Sequence, residues 1–359
     1  MKILFYVTYP ILDASSRYRI YQYIEPLEKE GFSCTVDTLF PQYFYKIKNK
    51  EGLRFVLLKI LFLILFLLKR ILTLPKVSQY DVIYVHREIF PFFTPLIEFI
   101  AKFFCKKMIF DFDDAIFLAP KRWSNWRDIL RKPSNVGKVC EISNIVITGN
   151  EYLADYARKY NNSVYVLPTV YNPKNDFINS KIKEDDRVVI GWIGSWSTLI
   201  NLDIIKDPIS RLSKELDFTL NIIGSSNIFS YKIPGFNKIV YIPWKLEEEE
   251  FQISQFDIGI MPLFDEEWER GKCGFKLIQY MSLGIPVVAS PVGINKVLVS
   301  DGFNGYLAND SEAWYKYLKI LLIDSALRKK LGDNARKFIN EKYSFTYNIS
   351  KLKEILKSK

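Results

Sequence analysis

The feature that most constrains this chain is an alternation. Short runs dominated by Val, Ile, Phe and Tyr recur along the whole sequence, separated by longer stretches with helical spacing of apolar residues. In the first half the runs are "KILFYVT" (2–8), "SCTVDTL" (33–39), "DVIYVH" (81–86), "KMIFDF" (107–112), "NIVIT" (144–148) and "VYVLP" (164–168). In the second half they are "RVVIGWIG" (187–194), "DFTLNIIG" (217–224), "KIVYIP" (238–243), "FDIGIMP" (256–262), "IPVVAS" (285–290) and "NGYLA" (304–308). Near-continuous apolar runs predict strands buried on both faces, as in a parallel sheet, and strand–helix alternation predicts βαβ units. A chain of 359 residues is too long for one core. The polar stretch "YNPKNDFINSKIKEDD" (171–186) reads as the linker between two halves. The expected fold is therefore α/β, with two doubly wound, Rossmann-like parallel-sheet domains, 1–170 and 187–335, facing a cleft, and a last helical segment at 336–359.

Composition narrows the partners. The chain is 49% hydrophobic and 16% aromatic, which supports full cores rather than disorder. Cys34, Cys105, Cys140 and Cys273 are too scattered for a zinc site or a disulfide framework, so a reducing, cytoplasmic setting is expected. The apolar start, "MKILFYVTYP", is too short for a signal peptide and reads as a first strand. The net charge is +10, and the first 180 residues hold most of it: 25 Lys and Arg against 17 Asp and Glu, or +8. A basic half calls for an anionic partner, and with no nucleic-acid motif present an anionic membrane surface is the candidate. "FVLLKILFLILFLLKRIL" (55–72) fits that reading. Lys59, Lys69 and Arg70 interrupt it, so it is too short to span a bilayer. It is expected to lie along the inner face of the membrane, with Leu61, Phe62, Leu65 and Phe66 toward lipid and Lys46, Lys48, Lys50, Arg54 and Lys76 as basic flanks. A buried core helix is the other reading.

In open parallel sheets ligands bind beyond the carboxyl ends of the strands, so residues just after the runs are the candidates. After the seventh run comes "GWIGSWST". Gly194 allows close backbone approach, and Ser195, Ser197 and Thr198 offer hydroxyls suited to a phosphate-binding turn; Gly224 ends the next run in a similar way. "ERGKCGFKLIQYMSLG" brings Arg270, Lys272 and Lys276 together, with Gln279 one turn further on. Two lysines on one helix face repel unless an anion lies between them. A diphosphate fits, and the lysines would then stabilise charge on a leaving phosphate while Gln279 meets a sugar hydroxyl. In the first half, "DFDDAIF" places Asp111, Asp113 and Asp114 at a strand end, where they could hold a metal, bind a sugar, cap a helix, or pair with Arg17 or Arg19. His86, the only histidine, ends the third run. Ser15, Ser16, Arg17 and Arg19 in "ASSRYR" suit a carboxylate or phosphate on the acceptor side.

Taken together and in order, "GWIGSWST", "FDIGIMPL", "RGKCGFKLIQYMSLGIPVVASPVG" and "DGFNGYL" resemble glycosyltransferase family 4, and "ASSRYR", "YDVIYVHRE", "DFDDAIF" and "ITGNEYLADYA" resemble a bacterial branch of it. The resemblance implies the GT-B fold and a retaining transferase that takes a nucleotide-diphosphate sugar on its C-terminal domain. It also implies an acceptor, glycan or lipid-linked, on the N-terminal domain, no catalytic metal and no other cofactor. The last helix would cross back to the first domain. The expected roles are His86, Asp113, Asp114 and Lys276 at the reaction centre, and Gly194, Ser195, Thr198, Gly224, Arg270, Lys272, Lys276 and Gln279 for the donor. Ser16, Arg17 and Arg19 are assigned to the acceptor. The family's two glutamates, eight positions apart, align with Gly271 and Gln279, and a basic pair usual after the first C-terminal strand is missing. Loss of the glutamates leaves an inactive GT-B binding subunit as an alternative, with a sugar-nucleotide epimerase behind it.

Overall fold

The structure is a computed structural model describing residues 1–47, 52–92, 95–118, 132–173, 187–224 and 230–358. Most of the linker expected at 171–186, and Lys48 and Lys50, lie outside the described residues. Each of the twelve apolar runs contains a strand. They are β1 (Lys2–Val7), β2 (Ser33–Thr38), β3 (Val82–His86), β4 (Met108–Phe112), β5 (Ile145–Thr148), β6 (Val164–Val166), β7 (Val188–Ile193), β8 (Phe218–Gly224), β9 (Ile239–Pro243), β10 (Ile258–Met261), β11 (Val287–Ala289) and β12 (Gly305–Leu307).

Two units divide the chain: Met1–Thr169 with Asn348–Lys359, and Val170–Tyr347. Each holds one six-stranded sheet, all pairings parallel, in the orders β2-β1-β3-β4-β5-β6 and β12-β11-β10-β7-β8-β9. Strand order reverses between β1 and β3 in the first sheet and between β7 and β10 in the second. These reversals open the crevices where doubly wound sheets take ligands.

The last helix, Phe345–Lys357, joins the first unit from Asn348 onward. Asn348 donates to the carbonyl of Pro168 at 2.6 Å and Lys351 to that of Val166 at 2.9 Å. Lys107 donates to the carbonyls of Ile355 and Leu356 at 3.0 and 3.2 Å, serving acceptors that a helix end leaves unpaired. The preceding helix, Ser325–Lys342, stays with the second unit. There Gly332 lies against the Gly284 turn so closely that a Cβ would come within 2.0 Å of the Gly284 oxygen.

The segment expected at the membrane is a helix, Leu53–Thr73. Only one of its edges enters the core. Phe66 is buried, stacked on Phe62 and edge-on to Phe40 and Phe44, and Phe62 meets Phe44 edge-on, so Phe62 and Phe66 pack against protein rather than lipid. Arg70 is fully buried over the Tyr6 ring, paired with Asp37 and donating to the carbonyl of Ile89. Lys69 also pairs with Asp37, at 2.8 Å. The remaining surface is apolar and exposed, with Leu57, Leu61, Ile64, Leu65 and Leu68 each about half accessible. Among the described residues no helix is long and apolar enough to cross a membrane.

Beneath the helix Leu96–Phe104, Glu98 is fully buried, with Oε1 accepting from Ile89 N at 3.0 Å. Its Oε2 has no hydrogen-bond partner among the described residues. Burial, opposed by backbone donors, pushes its carboxyl up to about 7. A carboxyl raised in the folded state holds its proton more tightly there, so stability falls as pH rises from the unfolded value through 7. Glu98→Gln keeps an acceptor for Ile89 and removes the charge. It should stabilise the protein by about 2–3 kcal/mol at pH 8 and change little at pH 5, read by urea unfolding at both pH values.

Candidate functional site

The first unit gathers its polar residues at the β1/β3 reversal. Asp111, at the end of β4, is fully buried between Arg19, with Nε at 3.2 Å, and His86, with Nδ1 at 2.8 Å. A carboxylate only accepts, so that imidazole nitrogen carries a proton. Burial opposes ionisation of Asp111, but Arg19 and His86 outweigh it and hold the carboxyl below its ordinary range. On the other side of the ring, His86 Nε2 lies 2.9 Å from Ser15 Oγ, which in turn donates to Asp113 Oδ2 at 2.5 Å. Burial also opposes ionisation of Asp113, and Arg87, His86 and Arg19 hold it low.

Arg87 adopts a left-handed backbone, with φ of +65°, unusual for a side chain with a Cβ. Its N–H donates to Asp111 O at 2.7 Å, and its guanidinium bridges Asp113 at 2.8 Å and Asp114 at 2.7 Å. Such strain persists only where surrounding contacts over-determine it, and it marks functional sites. No local pattern of residues signals this turn or Ser15's partners.

Ser15–His86–Asp111 has the bond order of a nucleophile, a base and an orienting acid. Asp113 beside Ser15 Oγ would repel an attacking alkoxide, so the cluster suits holding and relaying a hydroxyl proton better than covalent attack. Ser16, Arg17 and Arg19, assigned to the acceptor side, all meet protein partners. Ser16 is buried, its N–H on the Asp13 carboxylate at 3.2 Å. Arg17 is buried and donates to the carbonyl of Ile11 at 3.0 Å. Arg19 is committed to Asp111 and to the carbonyl of Leu167. All three are buried, and of the group Ser15 and Arg19 reach the cluster. The Asp111–Arg19 pair is one of the alternatives the sequence left open. Among the described residues no group of His, Cys, Asp and Glu is arranged to hold a metal ion.

The second unit has its own cluster at the β7/β10 reversal. Gly194 follows β7, with its N–H on the carbonyl of Ile223 at 3.0 Å. A Cβ there would lie 2.5 Å from the Trp192 ring and 2.9 Å from Thr198 Oγ1, so only glycine fits. Ser195 and Ser197 are exposed, with their hydroxyls 2.8 Å apart, and Thr198 donates to the carbonyl of Ser195 at 3.0 Å. Lys276, in the first turn of the helix Phe275–Ser282, is part-buried with Nζ 4.6 Å from the centre of the Trp192 ring. Burial, with Lys272 nearby, pushes its ammonium down to about 7. The structure thus brings Gly194, Thr198 and Lys276 together around Trp192, a residue the sequence reading passed over as an ordinary strand position.

Two donor candidates are engaged with protein partners. Arg270 is turned onto Asp265, with Nε at 2.7 Å. Gln279 is 3% exposed rather than lined up at the surface with Lys272 and Lys276, and its Nε2 donates to Glu249 Oε1 at 3.0 Å. Past its first turn this helix is buried all round, from Leu277 to Ser282, so Gln279 is covered although it lies only about 60° around the helix from Lys276. Gly224 ends β8, and its carbonyl accepts from Trp244 N at 2.8 Å. The two clusters lie in different units and are described each within its own.

Residues 187–324 match the family described as Glycosyl transferases group 1. An uncharacterised glycosyltransferase of Methanocaldococcus jannaschii is 27% identical over 164 residues; the match spans 43% of this chain and 43% of that relative. Among solved structures, HepE of Anabaena, crystallised with UDP and glucose, covers both chains completely with a TM-score of 0.69 at 14% identity. Sucrose-phosphate synthase of Thermosynechococcus elongatus covers 99% of this chain and 98% of its own, with a TM-score of 0.66 at 13% identity. At such identities the structural likeness speaks for the fold, and the sequence match speaks for the second unit. With parallel six-stranded sheets in both units, the chain has the GT-B fold, and its residues 187–324 are similar to the group 1 glycosyl transferases.

Proposed function

We propose that this chain transfers a hexosyl group from a nucleotide-diphosphate sugar to a glycan or lipid-linked acceptor in cell-surface glycan synthesis, with retention at the anomeric carbon. The observation that carries the reading is Lys276. It is a part-buried ammonium on an indole face, beside a second lysine and beside a turn that admits only glycine, at the sheet's reversal point. A cation kept in such a place is stabilised by an arriving anion, and a diphosphate is long enough to meet both the Gly194 turn and the two lysines. HepE, similar in fold, was crystallised with UDP and glucose.

In the reaction the bond from the sugar's C1 to the diphosphate oxygen breaks, and both electrons leave with the nucleoside diphosphate. Lys276 and Lys272 offset that charge. The acceptor oxygen bonds to C1 on the face the phosphate leaves, and its proton passes to a departing phosphate oxygen. The Ser15–His86–Asp113 group is assigned to the acceptor hydroxyl.

The test is a donor panel incubated with the protein and scored by mass spectrometry for slow donor hydrolysis, with calorimetry of the nucleoside diphosphates. Absence of both hydrolysis and binding would sink the reading. Turnover should survive EDTA, since the lysines do a cation's work on the diphosphate. Activity lost to EDTA and restored by Mg²⁺ or Mn²⁺ would show a metal-dependent mechanism instead.

The exposed apolar face of the Leu53–Thr73 helix supports a peripheral position on the cytoplasmic face of the membrane. Arg54 and Lys76 are exposed near its two ends, where each basic residue adds about 1 kcal/mol of attraction to an anionic surface. Binding to anionic vesicles should exceed binding to neutral ones and weaken in salt. Leu57, Leu61, Leu65 and Leu68 changed together to Gln should abolish it without lowering the melting temperature, whereas substitutions at Phe62 or Phe66 would disturb the core. Equal binding of wild type and variant would refute the membrane role.

A further inference from the structure

The carboxylate of Glu249 has no place in the donor site as drawn so far, yet it is buried and carefully served. It opens the short helix Glu249–Ser254, where it is 6% exposed. Its Oε1 accepts from Gln279 Nε2 at 3.0 Å, and its Oε2 accepts from the indole N–H of Trp244. Trp244 follows β9 directly and is tied to the end of β8 through Gly224, so this group stands at the carboxyl edge of the sheet, where ligands bind.

The chemistry of the pair fixes an orientation. An ionised carboxylate has no hydrogen to give, so the amide nitrogen of Gln279 must face Glu249 and the amide oxygen must face away. The side chain is 3% exposed, so the pair rather than solvent sets which way that oxygen points. Gln279 therefore presents an acceptor, as a glutamate would, while remaining neutral. A glutamate at 279 would instead set two carboxylates against each other at hydrogen-bond distance.

We propose that Glu249 is a positioning residue for the nucleoside end of the donor: it locks the Gln279 amide so that its oxygen accepts a sugar hydroxyl of the nucleotide, and it holds the Trp244 indole beside it. This rests on the donor reading above. It also accounts for glutamine, rather than glutamate, on the Phe275–Ser282 helix: the acid has moved to another element and acts through the amide.

The experiment compares binding of nucleoside diphosphates with binding of inorganic pyrophosphate by calorimetry, for the wild type, Glu249→Gln, Gln279→Glu and the double exchange. Gln279→Glu should weaken the preferred nucleoside diphosphate at least tenfold and leave pyrophosphate unchanged. Glu249→Gln, which keeps shape and removes the obligation on the amide, should weaken it on the order of fivefold, again with pyrophosphate unchanged. The exchange Glu249→Gln with Gln279→Glu restores one carboxylate and one amide, and should recover affinity to within about threefold of wild type. If Gln279→Glu does not fold, Glu249→Gln and the exchange decide. An exchange no better than the worse single variant, or equal loss of pyrophosphate and nucleotide, overturns the proposal. A wild type that binds pyrophosphate but no nucleoside diphosphate overturns the donor reading itself, and Lys276→Ala marks the difference, since it should weaken both probes.

Discussion

Lys276→Ala should weaken nucleotide-diphosphate binding or turnover by about 10- to 100-fold, the size of a charge-assisted phosphate contact of roughly 1.5–3 kcal/mol. The pH dependence should identify the cause. In the free protein, burial and Lys272 push the Lys276 ammonium down to about 7. A bound diphosphate favours the charged form, so binding takes up a proton wherever free Lys276 is neutral. The affinity it contributes is complete below pH 7 and is lost as pH rises through the higher value of the complex, by up to tenfold per unit. Nucleotide phosphates finish their own titration near pH 6, so measurements from pH 7.5 to 9 isolate the lysine. Wild-type affinity should fall across that window and that of Lys276→Ala should stay nearly flat. Calorimetry in buffers of different ionisation enthalpy should show proton uptake in the wild type only. Lys276→Met, which keeps the apolar stem on Trp192 without a poorly solvated ammonium, should raise the melting temperature of the unliganded protein while weakening binding. Unchanged affinity together with unchanged turnover would remove Lys276 from the site.

That prediction depends on facts of unequal visibility. All twelve strands were legible: the central ones are buried on both faces and leave continuous apolar runs, and the partly exposed edge strands β2, β6, β9 and β12 followed from the alternation around them. The glycine after β7 and the lysine pair were legible as residue types at a strand end. The indole under Lys276 was not, because a strand's alternation says which face a side chain takes and not which distant helix covers it. Gln279 was misplaced for a related reason. Helical spacing put it near Lys276, but its partner Glu249 lies thirty residues back on another element, and no local pattern pairs them. In the Leu53–Thr73 helix the buried stripe Phe66, Arg70, Leu74 has an i, i+4 spacing. Exposed leucines and isoleucines on the other faces hide it, and the arginine in the stripe reads as a surface charge until Asp37 is seen beside it. The left-handed turn at Arg87 had no signal at all, since neither glycine nor asparagine occupies it. Chemistry-bearing residues were found by kind, and their partners were supplied by the fold.

The largest stability effect is expected at Asp111. Its fully buried carboxylate is held by Arg19 on one side and His86 on the other, and Arg19, itself 3% exposed, has only the carbonyl of Leu167 and the hydroxyl of Thr169 besides. Asp111→Asn keeps the shape and removes the charge. The guanidinium is then left buried without its counter-ion, which costs about 3–5 kcal/mol. Denaturant unfolding should show that loss at pH 7, with the midpoint shifted and the slope unchanged. The wild type holds this carboxyl below its ordinary range, so its contribution is present at pH values above the unfolded carboxylate's and is lost as pH falls through the lower folded value. The gap between wild type and variant should therefore persist at pH 5 and close only in strong acid. Removing both charges, with Arg19→Met and Asp111→Leu together, strands no charge, only the His86 Nδ1 proton and the Leu167 carbonyl, and should cost less than Asp111→Asn alone. A double variant as unstable as the single one would mean that the ion pair itself, rather than the stranded charge, accounts for the loss. The same pair of variants separates stability from chemistry. Both release His86 Nδ1 from its carboxylate, so both should lose activity even where the double variant remains well folded, because the Ser15-facing nitrogen is then no longer held toward the acceptor hydroxyl.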